Sequence, residues 1–367
     1  MKRLILCFGV LILVGTIMYG QQQRPYKLSE LNKKGIPHLL GGINNLEQWT
    51  VKKEEIRKVW LDFVGELPKR PKVQYKVISE TQLSDHVRKK IIFNTIYNDT
   101  VSAFLLVPNS VKTNKRKYPA ILALQPTNET GKLAVATPFK EGNRNRYYGY
   151  ELVSRGYIVL APDDLTSGER VYPGEKPFQS APFYKKYPGW TIMAKTIVDH
   201  MQALDLLSQL DRVAADRIGV IGLSFGAYNS FFLSSVDPRI KAVVSICGLS
   251  PFTGDPNPNR WGIRDWYTHF PEVTTDLKND EIPFEFNEIV ALSSPVPMFF
   301  YAAQNDRIFP HWQSIGETLN DIYKLYEWLG FANNFQYSIG PGGHDFPNEI
   351  RNWAYGFLDR NLQNTKR

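Results

Sequence analysis

The sequence predicts an α/β fold with a mostly parallel central sheet, antiparallel strands on its N-terminal side and helices on both faces. Three observations predict it. From about residue 118, short apolar runs alternate with amphipathic helical patterns. Those runs, such as "YPAILALQ", "YIVLAPD" and "IKAVVSIC", are apolar throughout, as strands covered on both faces must be. Upstream, "HVRKKIIFNTIY" instead alternates with period two. Val87, Lys89, Ile91, Phe93 and Thr95 share one side and Arg88 and Lys90 the other, which predicts a half-buried antiparallel strand.

The chain opens "MKRLILCFGVLILVGTIMYGQQQ", with Lys2 and Arg3 ahead of an apolar run to about Tyr19. Residues 1–20 read as a secretory signal cleaved near Gly20, and the alternative is an uncleaved anchor. The run is shorter than the roughly 20 residues that span a bilayer comfortably. Lipid attachment at Cys7 is rejected, because it lies too early and follows the bulky Leu6. No later segment is apolar enough to span. The expectation is therefore export, to periplasm or exterior, with no stable membrane insertion.

Residues 21–99 read as an extension with one helix, "LEQWTVKKEEIRKVWLDFVG", and the strands "KVQYKVISE" and "HVRKKIIFNTIY". Residues 100–367 read as the main domain, beginning with "TVSAFLLVP". In it "YGYELVSRG" is a helix ended by Gly156. "TIMAKTIVDHMQALDLLSQLD" is a long helix whose Met193, Ile197, Met201, Leu204 and Leu207 recur at spacings of three and four. The strands "RIGVIGLS", "VPMFFYAAQ" and "NFQYSIGPG" alternate with the helices "FGAYNSFFLSS", "WQSIGETLNDIYKLYEWLG" and "NEIRNWAYGFLDRNL". Two aromatic insertions, about 164–190 and 248–290, follow strand ends.

Of 367 residues, 43% are hydrophobic and 13% aromatic, ample for a large core and unlike a disordered chain. The net charge of +8 comes from scattered basic residues, so no nucleic-acid partner is expected. A mildly basic surface suits acidic polymers such as uronic-acid chains, or is simply solvated. Once residues 1–20 are removed, Cys247 is the only cysteine, which excludes an internal disulfide. Histidines 38, 86, 200, 269, 311 and 344 are dispersed and no Cys-x-x-Cys pair exists, so no metal site is expected.

The chemistry concentrates at Gly222-Leu223-Ser224-Phe225-Gly226, where a strand meets a helix. A sharp turn there strains the serine backbone and needs small flanking residues, which Gly222 and Gly226 supply. The alternative is an ordinary N-cap serine. A nucleophilic serine needs a base, and the base an orienting acid, each after a later strand in the order serine, acid, histidine. Asp306 follows "VPMFFYAAQ", and His344 follows "NFQYSI" in "GPGGHDFP". Glycines 340, 342 and 343 are expected to leave room for the imidazole. Asp345 is a rival acid, but adjacent side chains on an extended segment diverge. His311 lies too close in sequence to Asp306, and His200 reads as a packing residue on its helix. Oxyanion donors are expected from the N–H of Phe225 and from the loop after "YPAILAL", where Pro126 has no N–H. Thr127 is the first choice there and Gln125 the second.

The chain resembles the α/β-hydrolase superfamily, specifically exported esterases of the dienelactone-hydrolase and acetylxylan-esterase type. The resemblance spans about residues 118–362 and rests on "LALQPTNETGK", "ELVSRGYIVLAPD", "GER" at 168–170, "HMQALDLL", "DRIGVIGLSFGA", "DPRIKAVVSICG", "ND" at 305–306 and "GGHDFP". It implies a Ser-His-Asp esterase with no metal and no organic cofactor. Relatives of this kind often carry histidine where this chain has Gln125, a departure that bears on the oxyanion loop.

Both insertions are expected to overhang Ser224. Trp190 and Trp261 are placed nearest the strand-end openings as sugar-stacking residues, though most of the insertions' aromatics read as the loops' own core. Arg170 and Arg264 either meet a substrate carboxylate or pin the loops. The expected partner is a small-molecule or carbohydrate ester, carrying acetyl or methyl ester groups. The alternatives are a serine peptidase on the same fold and a non-catalytic carbohydrate-binding relative.

Overall fold

The computed structural model describes residues 24–113, 115–139 and 142–363, so the signal-like segment lies outside the described residues. Its strands are β1 (Tyr26–Lys27), β2 (Tyr75–Gln82), β3 (His86–Asn94), β4 (Thr100–Pro108), β5 (Tyr118–Leu124), β6 (Ile158–Pro162), β7 (Val213–Leu223), β8 (Ile240–Ile246), β9 (Glu281–Ile282), β10 (Met298–Ala303) and β11 (Phe335–Gly340). Nine of them form one sheet in the order β11-β10-β8-β7-β5-β6-β4-β3-β2. Strands from β11 to β6 in that order pair in parallel, and β4, β3 and β2 add antiparallel. This is the α/β-hydrolase architecture.

Why the strands read as apolar throughout is visible in where alternate residues go. Val220 of β7 and Leu122 of β5 enter one hydrophobic core, while Ile221 and Ile121 beside them enter a second. Phe300 and Phe299 of β10 divide the same way. Helices Ile192–Gln209, Phe225–Val236 and Trp312–Trp328 bury their apolar faces in the first core. Helices Tyr148–Ser154 and Asn348–Leu358 cover the second. A strand buried on both faces has no polar side to spare, which suppresses the period-two signal that β3 keeps.

The sheet continues across the turn at residues 95–99, since β3 pairs with β4 from His86↔Pro108 to Asn94↔Thr100. The N-terminal helix Leu46–Val64 also joins the first core. Its Trp60 packs on Phe232 at 4.9 Å and donates from Nε1 to Ser235 Oγ at 2.9 Å. That contact buttresses helix Phe225–Val236 from behind, and Ser224 heads this helix. Among the described residues, no helix is long and apolar enough to cross a membrane.

Candidate active site

Ser224 sits where β7 ends and helix Phe225–Val236 begins, with φ 56 and ψ −114. A non-glycine residue in that region is strained, and the surroundings hold it there. The Ser224 N–H donates to Ile246 O at 2.8 Å, and the Ser224 carbonyl accepts from the Ala227 N–H at 2.9 Å. A Cβ at Gly222 would lie 2.1 Å from the Gly226 carbonyl carbon, and one at Gly226 would lie 2.3 Å from Leu124 O. The two glycines are therefore required by close backbone approach. The Ser224 side chain makes no capping hydrogen bond, which disfavours the N-cap reading and leaves the hydroxyl free.

Asp306 follows β10 and His344 follows β11, and the two loops are knitted by backbone. Gln304 N–H donates to Gly340 O at 2.8 Å and Asn305 N–H to Gly342 O at 3.0 Å. His344 Nδ1 lies 2.7 Å from Asp306 Oδ2. Asp306 Oδ1 accepts the N–H groups of Ile308 at 2.8 Å and Phe309 at 3.0 Å. Burial acts to raise the Asp306 pKa. The His344 hydrogen bond and charge, with the two backbone donors, outweigh it and hold the carboxyl below its usual range. An ionised Asp306 accepts, so Nδ1 carries the imidazole proton and Nε2 is left as the acceptor. His344 and Ser224 line the same cavity, of about 550 Å³.

The rival Asp345, and Asp321, the next aspartate after Asp306, are engaged elsewhere. Asp345 accepts from Asn145 Nδ2, and Asp321 accepts from the Leu39 N–H and Asn287 Nδ2. His200 pairs with Asp164 at 2.7 Å inside the fold, and His311 contacts Ser250 at 3.3 Å, away from the cavity wall. The glycine expectation is corrected at Gly340: the Tyr301 phenol, not the imidazole, fills the space, 2.5 Å from where a Cβ would stand.

Although dispersed along the sequence, three residues with potential metal-ligating atoms meet beside the site. Among the described residues, ligand atoms of Cys247, Asp306 and His344 lie within 4.8 Å of one another. Burial, then the neighbouring Asp306 charge, pushes the Cys247 thiol well up, so the sulfur stays protonated. His344 Nδ1 is already committed to Asp306.

Of the oxyanion candidates, Thr127 lines the cavity. The Gln125 side chain is fully buried away from the wall, with neither amide atom hydrogen-bonded. Phe225 buries its ring against Tyr228 at 5.3 Å and Tyr267 at 5.5 Å, and its N–H opens the helix. The β5 loop is pinned by Lys132, whose N–H donates to Asp163 Oδ1 at 2.8 Å and whose Nζ reaches Glu169 at 2.8 Å.

Only the second insertion reaches the cavity, through Pro256, Asn257, Arg260, Trp261, Arg264, Trp266 and His269. The first packs behind it: Phe178 lies 5.6 Å from Phe225, and the Ser180 N–H donates to Trp266 O at 2.9 Å. Two substrate-binding assignments are corrected accordingly. Trp190 lies outside the wall, edge-on to Tyr97 at 5.5 Å, with Nε1 donating to Glu66 O at 2.8 Å. Arg170 is buried in an ion cluster, bonded to Asp99 at 2.7 Å and Asp199 at 2.9 Å beside Lys195. Trp261 does line the cavity, but only 1% of it is exposed and it packs on Phe286 at 4.6 Å.

Arg170→Met is expected to destabilise the fold by about 3–5 kcal/mol, because it leaves buried carboxylates short of a partner. The drop appears as a lower urea midpoint. A variant of full stability with a raised KM would contradict the structural role.

Residues missed in the sequence complete the wall. Arg146 comes from the segment before helix Tyr148–Ser154, and Arg307 to Pro310 come from the Asp306 loop. His269 Nδ1 accepts from Arg264 Nη2 at 3.2 Å, and its Nε2 lies 2.7 Å from Tyr228 Oη. Burial, then the Arg264 charge, holds the His269 pKa well down, so the ring is neutral.

A model of the Abhydrolase family matches residues 43–318. The chain belongs to the abhydrolase family. YtaP of Bacillus subtilis (strain 168), named as a candidate hydrolase, is 24% identical to this abhydrolase over 315 residues, covering 83% of this chain and 98% of its own. Among solved structures, a glucuronoyl esterase from Solibacter usitatus superposes with a TM-score of 0.64 at 18% identity, covering 88% of this chain and 97% of that one. Acetyl xylan esterase 1 from Thermoanaerobacterium sp. JW/SL YS485 gives 0.53 at 16%, covering 84% and 92%. At these identities the structural likeness is one of fold.

Proposed function

We propose that this abhydrolase is an exported serine ester hydrolase that removes acetyl or methyl ester groups from a carbohydrate. The observation that carries the reading is the 2.7 Å His344–Asp306 pair facing the same cavity as the strained, uncapped Ser224. Ser224 Oγ attacks the ester carbonyl as His344 Nε2 takes its proton. The oxyanion is held by the N–H of Phe225, whose place in the first helical turn leaves it without an intrahelical acceptor, and by Thr127. The alcohol leaves with the proton from His344, giving an acyl-enzyme. Water then gives its proton to Nε2, attacks the acyl carbon and frees Ser224. The carbohydrate comes from the named activities of the fold neighbours and from Trp266, whose partly exposed ring lines the cavity. Export rests on the leader-like sequence of residues 1–20.

The test is release of acetate from acetylated polysaccharides and of methanol from methyl-esterified ones. One of the two is expected. Release of neither, with cleavage of peptide amides instead, would favour a peptidase.

The triad carries the chemistry through one imidazole, so activity is expected to survive dialysis against a strong chelator. Restoration by added zinc after a loss would contradict that. On the acid side, log kcat/KM should fall with a slope of one proton. Asp306, held low, stays ionised across that range and so adds no second proton. A two-proton slope would contradict the assignment.

A further inference from the structure

The cavity wall holds four arginines, Arg146, Arg260, Arg264 and Arg307, and no aspartate or glutamate among the described residues. One of the four is neutralised. Arg260 binds Asp255 through Nε and Nη2 and donates from Nη1 to Ile308 O, so it pins the insertion to the Asp306 loop. The other three make no ion pair among the described residues. Arg264 meets only neutral groups: Nε donates to Tyr267 O at 2.9 Å, Nη2 to His269 at 3.2 Å, and the guanidinium lies 4.2 Å from the Trp266 ring centre. Arg146 Nε is buried with no hydrogen-bond partner among the described residues. Arg307 is exposed at the rim.

Elsewhere among the described residues several partly or fully buried arginines find carboxylates, while Arg88 and Arg217 meet only neutral groups. Arg170 has Asp99 and Asp199, Arg239 has Asp205 and Asp237, and Arg70 has Asp205. What distinguishes this site is that three guanidinium groups without an ion pair line one concave cavity. A half-buried cation facing only dipoles is poorly compensated, and burial lowers the Arg264 pKa accordingly. Low-dielectric walls of one sign also concentrate an oppositely charged ligand. A planar guanidinium matches a carboxylate in bidentate geometry, and the Trp266 face beside Arg264 offers a surface for the ring that carries it.

We infer that Arg146, Arg264 and Arg307 form an anion subsite, and that the substrate is an ester on an acidic sugar chain whose free carboxylate binds beside the scissile group. The inference rests on the esterase reading for the scissile bond but not for the binding. Neutral acetylated xylan is then the poorer substrate class.

The test uses Ser224→Ala, which binds without turnover, titrated calorimetrically at low salt with digalacturonate and with xylobiose. Digalacturonate is expected to bind at least about tenfold tighter. The gap should close in 0.5 M sodium chloride, where the Debye length falls to roughly 4 Å. It should also shrink severalfold when Arg264→Gln or Arg307→Gln is added. Arg307 is exposed and its side chain makes no hydrogen bond or ion pair among the described residues, so its variant keeps the test valid if Arg264→Gln fails to fold. Equal affinities, or a gap that both variants leave intact, would overturn the inference. So would inorganic sulfate displacing digalacturonate at equal concentration, which would mark a bare-anion site. Preserved selective binding with no ester hydrolysis by the wild type would sink the esterase reading alone.

Discussion

Ser224→Ala is expected to lower kcat/KM on any ester by about a hundred-thousandfold while leaving the melting temperature within about 2 °C of the parent. Both halves follow from the local geometry. The hydroxyl makes no capping bond, and the backbone at φ 56 is held by the N–H to Ile246 O and by the packing of Gly222 against Gly226. Alanine keeps that backbone and removes only the oxygen. What remains is binding and oxyanion stabilisation, which sustain a small residual rate. A Ser224→Ala enzyme with near-parental turnover would remove the nucleophile from the account.

Asp306→Asn is expected to lower kcat by about ten-thousandfold. The amide can donate to His344 Nδ1, which moves the imidazole proton to Nε2 and leaves nothing to take the serine's proton. It also weakens the acceptor for the Ile308 and Phe309 N–H groups, so a modest loss of stability accompanies it. The comparison that decides the assignment is with the two rival acids. Asp345→Asn should stay within a few-fold of the parent, because its carboxylate serves Asn145. Asp321→Asn should lose stability rather than kcat, because it ties His38, Leu39 and Asn287 together. Activity that survives Asp306→Asn and dies with Asp345→Asn would reassign the acid.

What the sequence made legible was local or periodic. Gly222-Leu223-Ser224-Phe225-Gly226 announces the turn because two glycines are demanded by backbone contacts within four residues of each other. Asp306 and His344 are readable because each directly follows a strand whose apolar run is unmistakable. The insertions resisted because their conformations are set by each other. Trp190 was placed by its distance along the loop, yet it turns toward Tyr97 and Phe183, away from the cavity. Arg170 resembled a substrate anchor, but its partners Asp99 and Asp199 lie 71 and 29 residues away in sequence. Arg146 lies in a segment without periodicity, so nothing local marks it as part of the wall. The spacing of Arg260 and Arg264 in "NRWGIRDWYTH" was a usable signal: two arginines and a histidine, His269, within ten residues of a strand-end insertion.

The central claim is that Ser224 is the nucleophile, and a covalent probe tests it most directly. A fluorophosphonate loses fluoride to an activated serine and leaves a stable Ser–O–P bond, which tandem mass spectrometry locates. The account predicts one adduct per chain on Ser224, loss of esterase activity in step with labelling, and no labelling of His344→Ala. An adduct on another residue, or full activity retained in a fully labelled protein, would contradict it.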